Sequence, residues 1–185
     1  MAEIELIENG RSGLVEVVAS IRQNKRSNLQ FLHFTIVSTR KPEQELIDAF
    51  FTALQTHSDN ELRIAKLQNK NCKSKSFADL EFQSVAGICW VIEAKSHNSS
   101  DRHNTVHKIF GELLKETGRI NRVGCKYAVL LPEDGITFYS RAFQSIDRGK
   151  FLEFGELIPV HAVFAFGSSG ISRLTWTDLY DAHQP

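Results

Sequence analysis

Three residues in the chain have the types and spacing to do chemistry together. Glu93-Ala94-Lys95 closes a strongly apolar stretch, Ile88-Cys89-Trp90-Val91-Ile92, and Asp79 lies upstream with thirteen residues between it and Glu93. An acid-x-Lys triplet arises by chance about once in a chain of this composition, so the weight falls on placement. Side chains alternate along a strand, which puts Glu93 and Lys95 on one face. Val85-Ala86-Gly87 reads as a three-residue hairpin loop whose last position needs positive φ. A hairpin centred on Ala86 sets Asp79 directly opposite Glu93, with Cβ atoms about 4.5–5.5 Å apart. Like charges in that position destabilise a sheet unless something compensates. A divalent cation does so, and Lys95 does so in part. Hard oxygen ligands with open coordination positions suit Mg²⁺ or Mn²⁺. The competing reading makes Asp79 and Glu93 solvent-facing residues of an amphipathic sheet, with Lys95 as their salt-bridge partner. The apolar run before Glu93 favours a strand buried on both faces, where an acid and an ammonium are costly unless used.

The elements that must position these residues can be read from periodicity. Residues 42–57 carry Leu46, Ile47, Phe50, Phe51 and Leu54 in a helical stripe, with Pro42 in the first turn. Residues 61–68, 76–84 and 88–96 read as three strands, the last central. Residues 101–118 read as a helix, capped by Ser100 or Asp101, with Val106, Ile109, Phe110, Leu113 and Leu114 inward and Gly118 at its end. Residues 126–131 are a short buried strand ended by Pro132. Before this core, residues 13–24 place Leu14, Val17, Val18 and Ile21 at helical spacing and predict a helix, followed by a strand over 29–38. After it, residues 137–157 predict a helix broken near Gly149, residues 158–166 a strand, and residues 171–176 a last strand beyond the Gly167-Ser168-Ser169-Gly170 turn. The expected architecture is a single α/β domain over 1–185. Its αβββαβ core spans about 42–131, a helix and strand are added over 1–41, and residues 132–185 extend it. A mixed sheet flanked by helices follows from a hairpin plus one crossover helix.

The residues Ala78-Asp79 and Glu93-Ala94-Lys95, with this order of elements, resemble the PD-(D/E)xK nuclease superfamily and its restriction-endonuclease-like fold. The resemblance covers about residues 42–131 and consists of topology plus three residues. It implies a metal-dependent nuclease, most directly a DNA endonuclease of a restriction, phage-defence or repair context, with Mg²⁺ or Mn²⁺ as cofactor. Carried over, Asp79 and Glu93 bind metal, the Ala94 backbone carbonyl is a third ligand, and Lys95 is catalytic. Two departures stand out. Ala78 replaces the proline of the family pattern. In Phe110-Gly111-Glu112-Leu113-Leu114, Glu112 takes the place of a glutamine common after the lysine. Glu112 either meets metal or substrate or is simply exposed. The same resemblance allows a non-catalytic nucleic-acid-binding or assembly subunit, although an intact Asp79, Glu93 and Lys95 set argues for the enzyme. A third reading is an unrelated soluble α/β protein with surface acids.

Secondary candidates surround this set. Glu43 shares a helical face with Ile47, Phe50 and Leu54, so it extends the apolar stripe toward the sheet, although an acid also favours a helix first turn in its own right. His97, Asn98, Arg102 and His103 follow the apolar strand and are placed to meet a phosphate backbone, as are Lys66, Lys70, Lys73 and Lys75 in the loop before Asp79. A solvated basic face is the plainer explanation for the lysines. His103 and His107 have i, i+4 spacing, but Asn104 stands where H-E-x-x-H needs Glu. Residues 167–170 lack the lysine and the spacing of a P-loop.

Composition sets the outer bounds. The chain has 185 residues, 42% hydrophobic and 24% charged, with 22 basic against 22 acidic side chains. That mix belongs to globular proteins and excludes collagen-like and disordered classes. Zero net charge argues against a purely electrostatic nucleic-acid coat protein but leaves room for a local basic groove. No apolar run approaches the roughly 18 residues of a membrane span, and the first residues lack a signal-peptide pattern. Cys72, Cys89 and Cys125 are few, odd in number and far apart, so free thiols and a cytoplasmic location are expected, and Asn98-Ser99-Ser100 is a sequon by pattern only. Nucleic acid, most directly DNA, is the expected partner, with no membrane. A homodimer would match a palindromic site, but no residue marks its interface.

Overall fold

A computed structural model describes the backbone of residues 2–8, 14–21, 31–37, 42–96, 102–120 and 122–183, and the side chains of 42–96, 104–120 and 122–183. The chain divides into two compact units, Met1–Arg40 and Lys41–Pro185.

The first unit is a three-stranded antiparallel sheet of β1 (Ala2–Glu8), β2 (Leu14–Ile21) and β3 (Phe31–Val37) in that order. The described part of the helix expected over 13–24, Leu14–Ile21, is therefore a strand. Val15, Val17, Val18 and Ile21 are β-branched, which favours the pleated backbone over a helix. The β2 segment then pairs along its length with both neighbours. The helical spacing of its apolar residues was a weaker signal than their branching.

The second unit begins with α1 (Pro42–Gln55), followed by β4 (Ile64–Lys70), β5 (Leu80–Ser84), β6 (Cys89–Ala94), α2 (Arg102–Thr117) and β7 (Lys126–Pro132). This is the α-β-β-β-α-β order read from the sequence. The first strand begins three residues later than expected, because the Leu62 and Arg63 amides turn back onto the Asp59 carbonyl. A 3₁₀ turn, α3 (Ile136–Phe143), α4 (Arg148–Leu157), β8 (Val160–Gly167), β9 (Gly170–Leu174) and α5 (Trp176–Asp181) complete the unit. The helix expected over 137–157 is broken at residues 144–147 rather than near Gly149. Asp147 caps α4 by accepting the Lys150 amide, and Gly149 lies inside the first turn. The strand expected over 171–176 stops at Leu174 because Thr175 and Asp178 form a reciprocal cap that starts α5.

The six strands lie in the order β4-β5-β6-β7-β8-β9. β4 to β6 run antiparallel, β6 to β8 parallel, and β9 returns antiparallel. The sheet is thus mixed, as expected, and flanked by helices. Strand alternation sorts the core into two layers. Leu80, Phe82, Trp90, Ile92, Ala94, Ala128 and Leu130 pack with Ile47, Phe50 and Leu54 of α1. Val129 and Leu131 pack with Val106, Ile109 and Leu113 of α2 and with an aromatic cluster built around Phe143, Phe151 and Trp176. Because β6 and β7 are buried on both faces, any charged group on them must be satisfied inside the protein.

The cysteine expectation is corrected. Cys89 and Cys125 form a disulfide, with Cα atoms 4.7 Å apart, and Cys72 is free. The parallel pairing of Trp90 with Lys126 brings the preceding residues side by side. A contact made by strand register across 36 residues leaves no local spacing pattern to read. The argument from free thiols to a reducing compartment falls with it. No described helix is long and apolar enough to cross a membrane.

Candidate active site

The hairpin places Asp79 where the sequence puts it. Leu80 pairs with Ile92, Glu81 with Val91 and Phe82 with Trp90, and Gly87 takes φ of 81°. Carried one residue beyond the last pair, the register sets Asp79 against Glu93. Asp79 Oδ2 accepts the Ala94 amide at 2.9 Å, which fixes the acid to the strand of Glu93 and Lys95. Asp79, Glu93 and Lys95 are all buried, at 9%, 5% and 4% exposure.

Lys95 is the cationic hub of this group. Its Nζ lies 2.6 Å from Glu112 Oε2, donates to the Ala94 carbonyl at 2.7 Å, and is 3.9 Å from Asp79 Oδ2. Burial works to lower the Lys95 ammonium, yet Glu112 and then Asp79 outweigh it and hold it above its ordinary value. Glu43, at the start of α1, acts on the same ammonium. The structure thus brings together Asp79, Glu93, Lys95 and Glu112, with Glu43 within electrostatic reach. Glu112 is accordingly no bystander on the helix surface.

Glu93 is the least comfortable member. Burial, then the neighbouring Asp79 carboxylate, push its carboxyl up to about 9, with Lys95 opposing. Asp79 lies opposite Glu93 in the hairpin register, so the two acids face each other in a buried place. Glu93 Oε1 is buried with no hydrogen-bond partner. A buried carboxylate oxygen left without a donor beside a second carboxylate fits a hard cation. The Ala94 carbonyl, the third ligand expected from the sequence, accepts from Lys95 Nζ. Among the described residues, no three His, Cys, Asp or Glu side chains converge on one point, so a cation here would rest on two carboxylates, a carbonyl and water.

No family model matches the chain, and no curated protein or solved structure is significantly similar to it.

The remaining candidates separate. Lys66, Lys73 and Lys75 are exposed, the last two in the loop that leads into Asp79. Lys70 instead pairs with Asp48 at 2.8 Å and lies over the Phe51 ring. His97 and Asn98 lie outside the described residues, as do the side chains of Arg102 and His103. His107 is exposed on α2. Sequence reasoning missed two neighbours. The Tyr139 hydroxyl is buried without a hydrogen-bond partner, and burial together with Glu43 raises its pKa. Glu81, Arg122 and Glu116 form a buried ionic group beside Asp79. The one available signal was an acid two residues after Asp79, on the same strand face.

Proposed function

We propose that the chain is a metal-dependent nuclease of the PD-(D/E)xK type, hydrolysing phosphodiester bonds in DNA. The observation that carries this reading is the Asp79–Glu93 pair, two buried carboxylates held against each other with one oxygen lacking any partner and a single ammonium beside them. Two acids facing each other in a buried place are costly unless they are used. Asp79, Glu93 and the Ala94 carbonyl would hold the cation. A bound Mg²⁺ or Mn²⁺ neutralises phosphate charge, lowers the pKa of an attacking water and stabilises the leaving oxygen.

The protein's own residues do the rest. Lys95 stays protonated at neutral pH because Glu112 and Asp79 support its charge, so it serves as a fixed positive charge rather than as a general base. Glu112 aims the Lys95 ammonium toward the carboxylates. Glu93, whose carboxyl burial and Asp79 push up, would be ionised where a cation balanced its charge. Lys73 and Lys75, exposed just upstream of Asp79, would meet the sugar–phosphate backbone.

A plasmid-nicking assay with Mg²⁺ or Mn²⁺ tests the proposal. Wild type is expected to nick, and Asp79→Ala and Lys95→Ala are expected not to. Nicking by both variants at the wild-type rate would overturn the assignment of the site. Absence of cleavage by pure wild type on DNA and RNA alike would replace it with a binding subunit.

A further inference from the structure

We infer that Glu81 is the positioning residue of Asp79, and that Arg122 and Glu116 hold it in that role. The inference rests on the reading of Asp79 and Glu93 as metal ligands. Glu81 lies two residues beyond Asp79, on the same face of its strand, and its partner across the hairpin is Val91. A carboxylate at 7% exposure opposite a buried valine is costly unless its oxygens are used. They are used. Glu81 Oε1 accepts the backbone N–H of Ala78 and also accepts from Arg122 Nη2. The same segment is gripped from its other side. Asn69 Nδ2 donates to the Ala78 carbonyl at 2.6 Å, and the Asn71 amide donates to the Asp79 carbonyl at 2.9 Å. Three consecutive peptide groups, from Phe77 to Leu80, are thereby anchored without help from the Asp79 side chain.

Arg122 carries the anchor across to α2. Its Nη1 lies 2.8 Å from Glu116 Oε2, and Arg119 Nε reaches the same oxygen at 2.8 Å. Glu116 is fully buried and sits one helical turn beyond Glu112, the partner of Lys95. A continuous set of charged contacts therefore joins the peptide beside Asp79 to the helix that aims Lys95. A buried ionic group kept for stability alone is replaceable by apolar side chains. This one ends on the backbone next to a ligand, which is where a supporting shell acts.

The test is Mn²⁺ binding by the full chain, read by electron paramagnetic resonance on protein shown to be folded by circular dichroism. Glu81→Ala is expected to weaken Mn²⁺ binding by about tenfold or more. Glu81→Gln keeps an oxygen for the Ala78 amide and is expected to recover most of that loss. Phe151→Leu, which trims the aromatic cluster away from the site, is expected to lower stability and leave Mn²⁺ affinity as in wild type. Where Glu81→Ala does not fold, Arg122→Lys takes its place, since lysine cannot bridge Glu81 and Glu116 with two nitrogens. Asp79→Asn separates the two claims. If it loses Mn²⁺ while Glu81→Ala, or Arg122→Lys in its stead, binds within about twofold of wild type, the positioning role is overturned and the metal site stands. An equal loss in Phe151→Leu, or no recovery in Glu81→Gln, also overturns the positioning role. If Asp79→Asn binds Mn²⁺ like wild type, the reading of the site fails and this inference with it.

Discussion

The Ala94 amide donates to Asp79 Oδ2 at 2.9 Å, which ties the acid to the strand that carries Glu93 and leads into Lys95. That bond uses one carboxylate oxygen and needs no charge. It separates two functions of Asp79 that a single deletion would mix. Asp79→Asn keeps an oxygen for the Ala94 amide and removes the like charge beside Glu93. The folded protein is expected to be as stable as wild type or slightly more so in thermal unfolding with EDTA. Nicking in Mn²⁺ is expected to fall by roughly 100-fold or more, the scale of a lost electrostatic group at a reaction centre. A stable variant that nicks normally would remove Asp79 from the site.

The raised Glu93 carboxyl gives stability a definite pH dependence. Folded Glu93 titrates near 9 against 4.5 for the free side chain. Between those values the folded protein binds a proton that the unfolded chain has lost. Stability therefore falls as pH rises through that window. In EDTA, the melting temperature of wild type is expected to decline from pH 5 to pH 9, and Glu93→Gln, which cannot ionise, is expected to show a flatter profile. Parallel profiles for the two proteins would show that Glu93 is not the group responsible.

Lys95 is shifted in the same direction, toward its protonated form. Its active form is the charged one, and its pKa is held above 10.5, so activity that depends on it is lost only as pH rises through that higher value. Glu112 is the largest influence supporting the charge. Glu112→Gln is expected to move the alkaline limb of the nicking rate to lower pH, while Lys95→Ala removes activity across the whole range by about 10² or more. An unmoved limb in Glu112→Gln would mean that the 2.6 Å pair does not govern the ammonium.

How far the sequence could be read follows from the range of each signal. The hairpin register was legible because it is local. Gly87 marks the turn, and from that turn alternation carries Asp79 to Glu93 with no further information. α1 and α2 were legible for the same reason, since an apolar stripe over four turns repeats within a short window. Glu112 was ambiguous in the sequence because its partner lies 17 residues away on another element, and only the packing of α2 over β6 resolves it. Arg122 bridges Glu81 and Glu116 across the gap between a strand and a helix, at a separation of 41 residues from Glu81, and neither residue type nor spacing announces it. β2 was misread because four apolar residues at helical spacing are also four residues that suit a strand, and the deciding fact is the pair of neighbours that flank it.

The disulfide is the most direct check on the packing beneath the site. Cys89 precedes the apolar half of β6, and Cys125 ends the turn whose Arg122 carbonyl accepts the Cys125 amide. The bond thus ties the strand of Glu93 and Lys95 to the turn of Arg122. Closing a loop of 36 residues restricts the unfolded chain by about 3–4 kcal/mol in the chain-entropy account. Oxidised protein unfolded without reductant is expected to expose one reactive thiol, Cys72, and three after reduction. Dithiothreitol is expected to lower the melting temperature by several degrees, and Cys89→Ser with Cys125→Ser to lower it equally and to abolish the response to reductant. Three thiols titrating in unfolded protein that has never met a reductant would show that the two sulfurs stand side by side unbonded. The melting temperature would then be indifferent to dithiothreitol, and the Arg122 turn would be held by its ion pairs with Glu81 and Glu116 and by the hydrogen bonds to its carbonyl.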